Sequence, residues 1–206
     1  MENLVIVIGR QFGSGGRTIG KLLSERLGIE YYDSEIIKKS AGKEGLNPEI
    51  FRDMEEKKPS MLKALLQGAY GIADNFHATP LSEERVYKMQ SKVIKDLCKK
   101  GSCVIVGRNA DYILRHHPNL ISIFLHSPIE KRVERIMKRK EASSETEALD
   151  LARKNDKRRE SFYNFYTGDK KWGLSDNYHL SIDTSVMDAE GVVNLIISFI
   201  NGKRQK

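Results

Sequence analysis

The stretch "LVIVIGRQFGSGGRTIG" (residues 4–20) decides the fold. Its first five residues are apolar without polar alternation, which is how a strand buried on both faces of a parallel sheet reads. A glycine-rich turn follows, and then Ile19, Leu22, Leu23 and Leu27 recur at helical spacing. Strand, glycine loop and helix in that order form the setting of a phosphate-binding loop. Backbone N–H groups of Gly13, Ser14, Gly15 and Gly16 can line an anion nest, and a helix beginning near Gly15 or Gly16 points its positive end at the same spot. Glycine suits these positions because the backbone has to approach phosphate oxygens without side chains between. The middle of the loop is altered. The pattern G-x-x-x-x-G-K-[ST] needs lysine after its second glycine; Gly16 stands there, and a cation, Arg17, comes one residue later. Arg17 is expected to replace the lysine, with a planar fork in place of a point charge. Thr18, or Ser14, is expected to offer the hydroxyl that reaches magnesium. The competing reading of the whole stretch is a structural turn.

Outward from the loop, further strands are expected at "SCVIVG" (102–107), "LISIFL" (120–125) and "YHLSID" (178–183). Helical stripes lie between them: Val86, Met89, Val93, Ile94 and Leu97, then Val192, Val193, Ile196, Ile197 and Ile200, with Gly202 as a stop. "SPIE" (127–130) and "SETE" (144–147) read as capping boxes, the first with Pro128 opening a helix. This alternation predicts a single α/β domain over 1–206, three-layered around a parallel sheet. Residues 34–80 and 139–176 interrupt it. Both read as insertions over the strand ends, where such sheets bind ligands. The second is strongly polar and is expected to be mobile.

Composition narrows the function. The chain has 206 residues, 39% hydrophobic and 31% charged, with a net charge of +7. This describes a folded domain with a sizeable core. The charge suits anionic partners or a solvated basic surface. Charge alone supports a nucleic-acid-binding module, so that reading ranks last. The two cysteines, Cys98 and Cys103, lack metal-ligand spacing and read as buried thiols in a reducing cytoplasm. No apolar window has the roughly 20 residues of a membrane span, and no secretory leader is seen. His116 and His117 read as surface residues.

Candidate chemistry centres on arginine. Ala148, Ala152, Asn155, Arg159, Phe162 and Tyr166 share a helical face, so Arg159 lies on a mostly apolar stripe and needs an anion. That anion is a donor phosphate, with Arg153 assisting, or an internal partner such as Asp156 or Glu160. Arg108 follows a buried strand and faces either a ligand or a rim salt bridge. Asp33 either orients an acceptor hydroxyl or magnesium-bound water, or caps the next helix. Tyr163, Phe165, Tyr166 and Trp172 read as packing aromatics more than a base-stacking platform.

These segments together resemble the bacterial cytidylate kinase-like family of P-loop kinases, from Leu4 to about Ile197. "GSGGRTIGKLLSERLGI" is similar to the family's loop and first helix, "YYDSEIIKK" (31–39) to its monophosphate-site segment, and "VIVGRNADYIL" (104–114) to its strand and Gly-Arg-Asp turn. "FLHSPIEKRVERI" and "ARKNDKRRESFYNFYTGDKKWG" (152–173) are similar to the helix before the lid and to the lid, with Arg153, Asp156 and Arg159 in its Arg-x-x-Asp-x-x-Arg run. The departures are Gly16 for the lysine, Asn109 for the acid of the turn, and Lys39 for an arginine. The resemblance implies a cytoplasmic, ATP- and Mg²⁺-dependent kinase with a small-molecule acceptor, a nucleoside monophosphate first. ATP phosphates are expected on Gly13, Ser14, Gly15, Gly16, Arg17 and Thr18, with magnesium near Thr18. The acceptor is expected on Asp33, Lys39, Arg108 and Asn109, under an insertion at 34–80. Catalysis is expected from Arg17, Arg153, Arg159 and Asp33, with 139–176 as a closing lid. A P-loop kinase for another small molecule and a nucleotide-binding regulator with little catalysis remain alternatives. Oligomeric state is left open.

Overall fold

The computed structural model describes residues 3–43 and 83–204. Strands β1 (Val5–Arg10), β2 (Glu30–Tyr32), β3 (Cys103–Val106), β4 (Leu120–His126) and β5 (Leu180–Asp183) form one sheet in the order β2-β3-β1-β4-β5. Every pairing is parallel, with Val5 beside Cys103 on one flank and Leu120 on the other. The helices are α1 (Gly16–Leu27), α2 (Ser34–Lys43), α3 (Glu83–Lys100), α4 (Ala110–Ile113), α5 (Ile129–Lys138), α6 (Glu145–Thr167) and α7 (Ala189–Arg204).

The apolar runs lack alternation because both faces of the sheet are covered. Ile6, Ile8, Val104 and Val106 pack with Ile19 and Leu23 of α1 and Val192 and Ile196 of α7. Val5, Val7, Cys103 and Ile105 face the other way, onto Val93, Ile94 and Leu97 of α3 and Phe162 of α6. This is the three-layer α/β architecture expected from the pattern. Strand β2 is the addition. "EYY" is only three residues long and half exposed, too short to carry a periodicity signal.

The ends of helices depart from expectation in two places. Ser127 does not cap α5; Pro128 occupies the cap position without a side-chain bond, and the Ser127 N–H donates to Gln11 Oε1 at 3.1 Å. Gly202 does not stop α7, which continues to Arg204. The second capping box forms: Ser144 Oγ accepts from Glu147 N at 3.2 Å, while Glu147 turns back to Ser143 N at 2.7 Å.

Connections from β1 and β4 leave in opposite directions, so the crevice at the carboxyl ends of these neighbours is the topological switch point. Loop 11–15 emerges there. α1 is drawn tightly onto the sheet behind it: a Cβ at Gly20 would stand 2.8 Å from Val106 Cγ2 and 3.2 Å from the Tyr31 ring. Gly20→Val is therefore expected to lower stability by about 2–3 kcal/mol through overpacking, measured by urea unfolding; a cost below about 0.5 kcal/mol would mean that the helix shifts freely on the sheet.

Candidate nucleotide site

The loop is held by its carbonyl groups. Arg10 O accepts from Arg159 Nη1 at 3.3 Å, Phe12 O from Arg132 Nη1 at 3.3 Å, Gly13 O from Arg135 Nη1 at 3.5 Å, and Ser14 O from Thr184 Oγ1 at 2.9 Å. Arg135 also donates to Thr184 Oγ1 at 3.0 Å and to its carbonyl. Four donors from three elements thus turn the carbonyls outward. The amides of Gly13, Gly15, Gly16, Arg17 and Thr18 donate to no acceptor among the described residues; Ser14 N alone folds back, to Gln11 O at 3.3 Å. Gly13 and Gly15 have φ of 80° and 87°, a region that glycine enters without steric cost. Gly13 is further constrained by contact, since a Cβ there would lie 2.9 Å from Arg132 Cβ.

Asp156 of α6 ties the arrangement together. Its Oδ1 accepts from Phe12 N at 2.7 Å and its Oδ2 pairs with Arg132. Both side chains are largely buried, at 16% and 10% exposure. Burial raises the Asp156 carboxyl, while the Phe12 N–H and the Arg132 and Arg159 guanidinium groups pull it down.

Two cavities flank the loop. One, of about 270 Å³, is lined by Gly15, Thr18, Ile19, Arg139, Met187 and Asp188 among others. The other is a small space of about 20 Å³ among Arg10, Arg108, Asn109, Arg159, Tyr163 and Trp172. A third cavity, of about 510 Å³, involves Asn3, Lys95, Cys98, His116 and Pro118. It lies at the amino ends of the strands and takes nothing from the loop.

The sequence-predicted residues divide between these places. Ser14 is buried, its hydroxyl donates to Gln11 O at 2.9 Å, and the residue lines the larger flanking cavity. Thr18 is exposed and lines the larger flanking cavity. Arg17 is exposed on the first turn of α1 and lines neither flanking cavity. Together with Arg10 it acts on Tyr31, whose phenol is pushed up to about 12 by burial and Asp33 and drawn back by the two guanidinium groups. Asp33 caps α2, Oδ1 accepting from Glu35 N at 3.0 Å and Ile36 N at 3.1 Å. Arg159 reaches the loop and crosses the face of Phe12, 5.4 Å from the ring centre, whereas Arg153 is exposed on α6. The side chain of Lys39 and residues 44–80 lie outside the described residues.

Arg108 and Asn109 are buried in the small cavity on a turn with three successive positive φ values: Gly107 80°, Arg108 64° and Asn109 51°. Left-handed backbone at a non-glycine residue costs on the order of 1–3 kcal/mol and collects at functional sites. Gln90, fully buried on α3, steadies the turn by donating to Arg108 O at 3.3 Å. Next to it Asp111 accepts from Tyr163 Oη at 2.8 Å. Three of the four aromatics pack as expected, Tyr163 buried, Tyr166 stacked on Tyr87 with centroids 3.9 Å apart and Trp172 edge-on to Phe124 at 5.2 Å, whereas Phe165 is 60% exposed.

A model of the cytidylate kinase-like family matches residues 5–186. This chain belongs to that family. It is 26% identical over 205 residues to a cytidylate kinase of Pyrococcus horikoshii, covering 97% of this chain and 90% of that one. With a cytidylate kinase of Methanosarcina barkeri it shares 31% over 179 residues, covering 86% and 83%. A solved structure from Eubacterium ventriosum aligns with a TM-score of 0.72 at 28% identity over 96% of this chain and 98% of that one. The shikimate kinase of Acinetobacter baumannii aligns at 0.52 and 17% identity over 100% and 97%, a likeness of fold. The family member described here is a P-loop kinase, and none of its described helices is long and apolar enough to cross a membrane.

The buried Asp111 gives the site a pH signature. Burial raises its carboxyl above the ordinary range, and the Tyr163 hydroxyl opposes this. The folded chain therefore holds the proton more firmly than the unfolded one, and stability present at low pH is lost as pH rises through the folded value. Asp111→Asn has no such loss. The melting temperature of the variant minus that of wild type is expected to grow more positive as pH rises from the ordinary carboxylate range, about 4, toward neutrality. A difference that stays flat across that range would contradict an ionisable Asp111 held high by burial.

Proposed function

We propose that this kinase transfers the γ-phosphoryl group of ATP to a nucleoside monophosphate. The observation that carries this reading is the loop itself: carbonyls captured outside, amides turned inward, and a cavity on each flank. Triphosphate oxygens fit the amides of residues 13–18, where α1 adds its positive end. The 270 Å³ cavity, with Ile19 and Met187 as apolar walls and Arg139 and Asp188 at its rim, suits the base and ribose of the donor. The arginine-lined side suits the acceptor phosphate.

In the transfer, an acceptor phosphate oxygen, already ionised, bonds to the γ-phosphorus. The bond to the bridging oxygen breaks, and its electron pair leaves with ADP. The protein's part is in-line placement and positive charge around the moving group. Arg159 bears on that charge from α6, and Arg108 holds the acceptor phosphate from its strained turn. The open Thr18 hydroxyl at the loop mouth, together with the phosphates, is the group that would hold Mg²⁺, which supplies charge neutralisation when bound. Asp33, Lys39 and Asn109 belong to the acceptor side; Arg153 is an outer cation that closure of 139–176 can bring nearer, and Arg17 on α1 is an outer cation at the loop. The cytidylate kinases named among the relatives favour CMP as the first acceptor to test.

A panel of nucleoside monophosphates and small phosphorylatable metabolites, with ADP release followed by coupled assay, tests the reading. Turnover with a monophosphate is expected; turnover only with another metabolite class would reassign the acceptor. Arg159→Ala is expected to lower kcat on the order of 10³-fold with a smaller change in KM for ATP, because its charge matters most in the transition state. Equal losses in binding and turnover would instead make Arg159 a ground-state contact.

A further inference from the structure

The pattern G-x-x-x-x-G-K places its first glycine five residues before its second. With Gly15 and Gly16 in the glycine and lysine slots, the first glycine slot is position 10, and it holds Arg10. Two of the departures from the pattern are therefore one exchange, a cation where glycine belongs and glycine where the cation belongs; the third is Arg17 in the Ser/Thr slot. The structure shows them in contact. A Cβ built at Gly16 would lie 2.9 Å from both Cβ and Cγ of Arg10 and 3.6 Å from its Cδ. The stem of Arg10 fills the space a lysine stem would need on leaving α1. Arg10 is the last residue of β1, 9% exposed, and lines the small cavity beside Arg108 and Arg159. Its backbone carbonyl is pinned by Arg159 at 3.3 Å.

We propose that Arg10, and not Arg17, is the catalytic cation of the loop, contacting the transferred phosphoryl group from the end of β1 in place of a lysine on α1. The proposal rests on the kinase reading above. Arg10 approaches from beneath the loop, on the acceptor side, and its two terminal nitrogens can span two phosphoryl oxygens, which a lysine cannot do. Gly16 is then required for a steric reason: it leaves room for the arginine. Arg17, one position further, is exposed and lines neither cavity.

The test uses the full chain with Arg10→Ala, Arg10→Lys, Arg17→Ala, Gly16→Lys and the double exchange Arg10→Gly/Gly16→Lys. Binding of ATP and of ADP is measured by calorimetry, turnover by ADP release, and folding by circular dichroism. Arg10→Ala is expected to weaken ATP binding about ten- to a hundredfold, the range of a charge-assisted contact, and to weaken ADP less. Arg10→Lys is not expected to rescue turnover, because the fork is lost. Gly16→Lys alone is expected to weaken ATP through collision with Arg10, and the double exchange to recover at least tenfold over it, since the collision is gone and a cation is restored. Wild-type ATP affinity in Arg10→Ala, a larger loss in Arg17→Ala than in Arg10→Ala, or a folded double exchange no better than Gly16→Lys would each overturn the proposal. If Arg10→Ala is unfolded, the double exchange decides alone. A wild-type chain that binds no ATP would bring down the kinase reading itself, which separates the two failures.

Discussion

Everything at the candidate site depends on where the loop's carbonyl groups go. A short turn carries as many carbonyls as amides, and an anion site needs only the amides. Here Arg159, Arg132, Arg135 and Thr184 take the carbonyls of residues 10, 12, 13 and 14. The donors come from α5, α6 and the segment after β5, so the loop is shaped by most of the architecture at once. Asp156 closes the circuit by holding Arg132 and Phe12 N together. Little reorganisation is then left for ligand binding, which is the condition under which fixed dipoles act most strongly on charge.

How much of this was legible in the sequence depends on the range of each interaction. The strands on both sides of the loop could be read because burial on two faces removes alternation, and "LVIVI" and "LISIFL" show that directly. The loop itself could be read from glycine spacing, and Arg159 from its place on an apolar helical stripe. β2 could not, because three half-exposed residues carry no pattern. Nor could the partners of the loop carbonyls. Arg132 and Arg135 look like ordinary surface cations on an amphipathic helix until the fold brings them 120 residues back to the loop. Asp33 had two local readings, and its bonds to Glu35 N and Ile36 N show that its Oδ1 caps α2. The exchange between positions 10 and 16 was present in the spacing, but only the missing Cβ at 16 shows that the two positions compete for one space.

The Gly107–Asn109 turn shows a different use of structure. Two non-glycine residues hold left-handed backbone there, and buried Gln90 of α3 steadies the turn through Arg108 O. The strain is local, and the buried neighbours Asp111 and Tyr163 link it to α6. The same helix therefore touches the glycine loop and reaches the neighbourhood of the strained turn.

That helix has a mechanical consequence. α6 has 23 residues, about 35 Å of rigid rod. Its carboxyl-terminal third is sunk in the core through Phe162, Tyr163 and Thr167 and the stack of Tyr166 on Tyr87. Its middle is fastened to the loop at Asp156 by polar contacts, and its amino-terminal third rests on α5 through Ala148, Ala152 and Ile136. Such a rod is a lever whose fulcrum is Phe162. Asp156 lies between the two anchorages, so any tilt of the rod about Phe162 would carry the Asp156 clasp with it and couple the loop to the packing of α6 on α5.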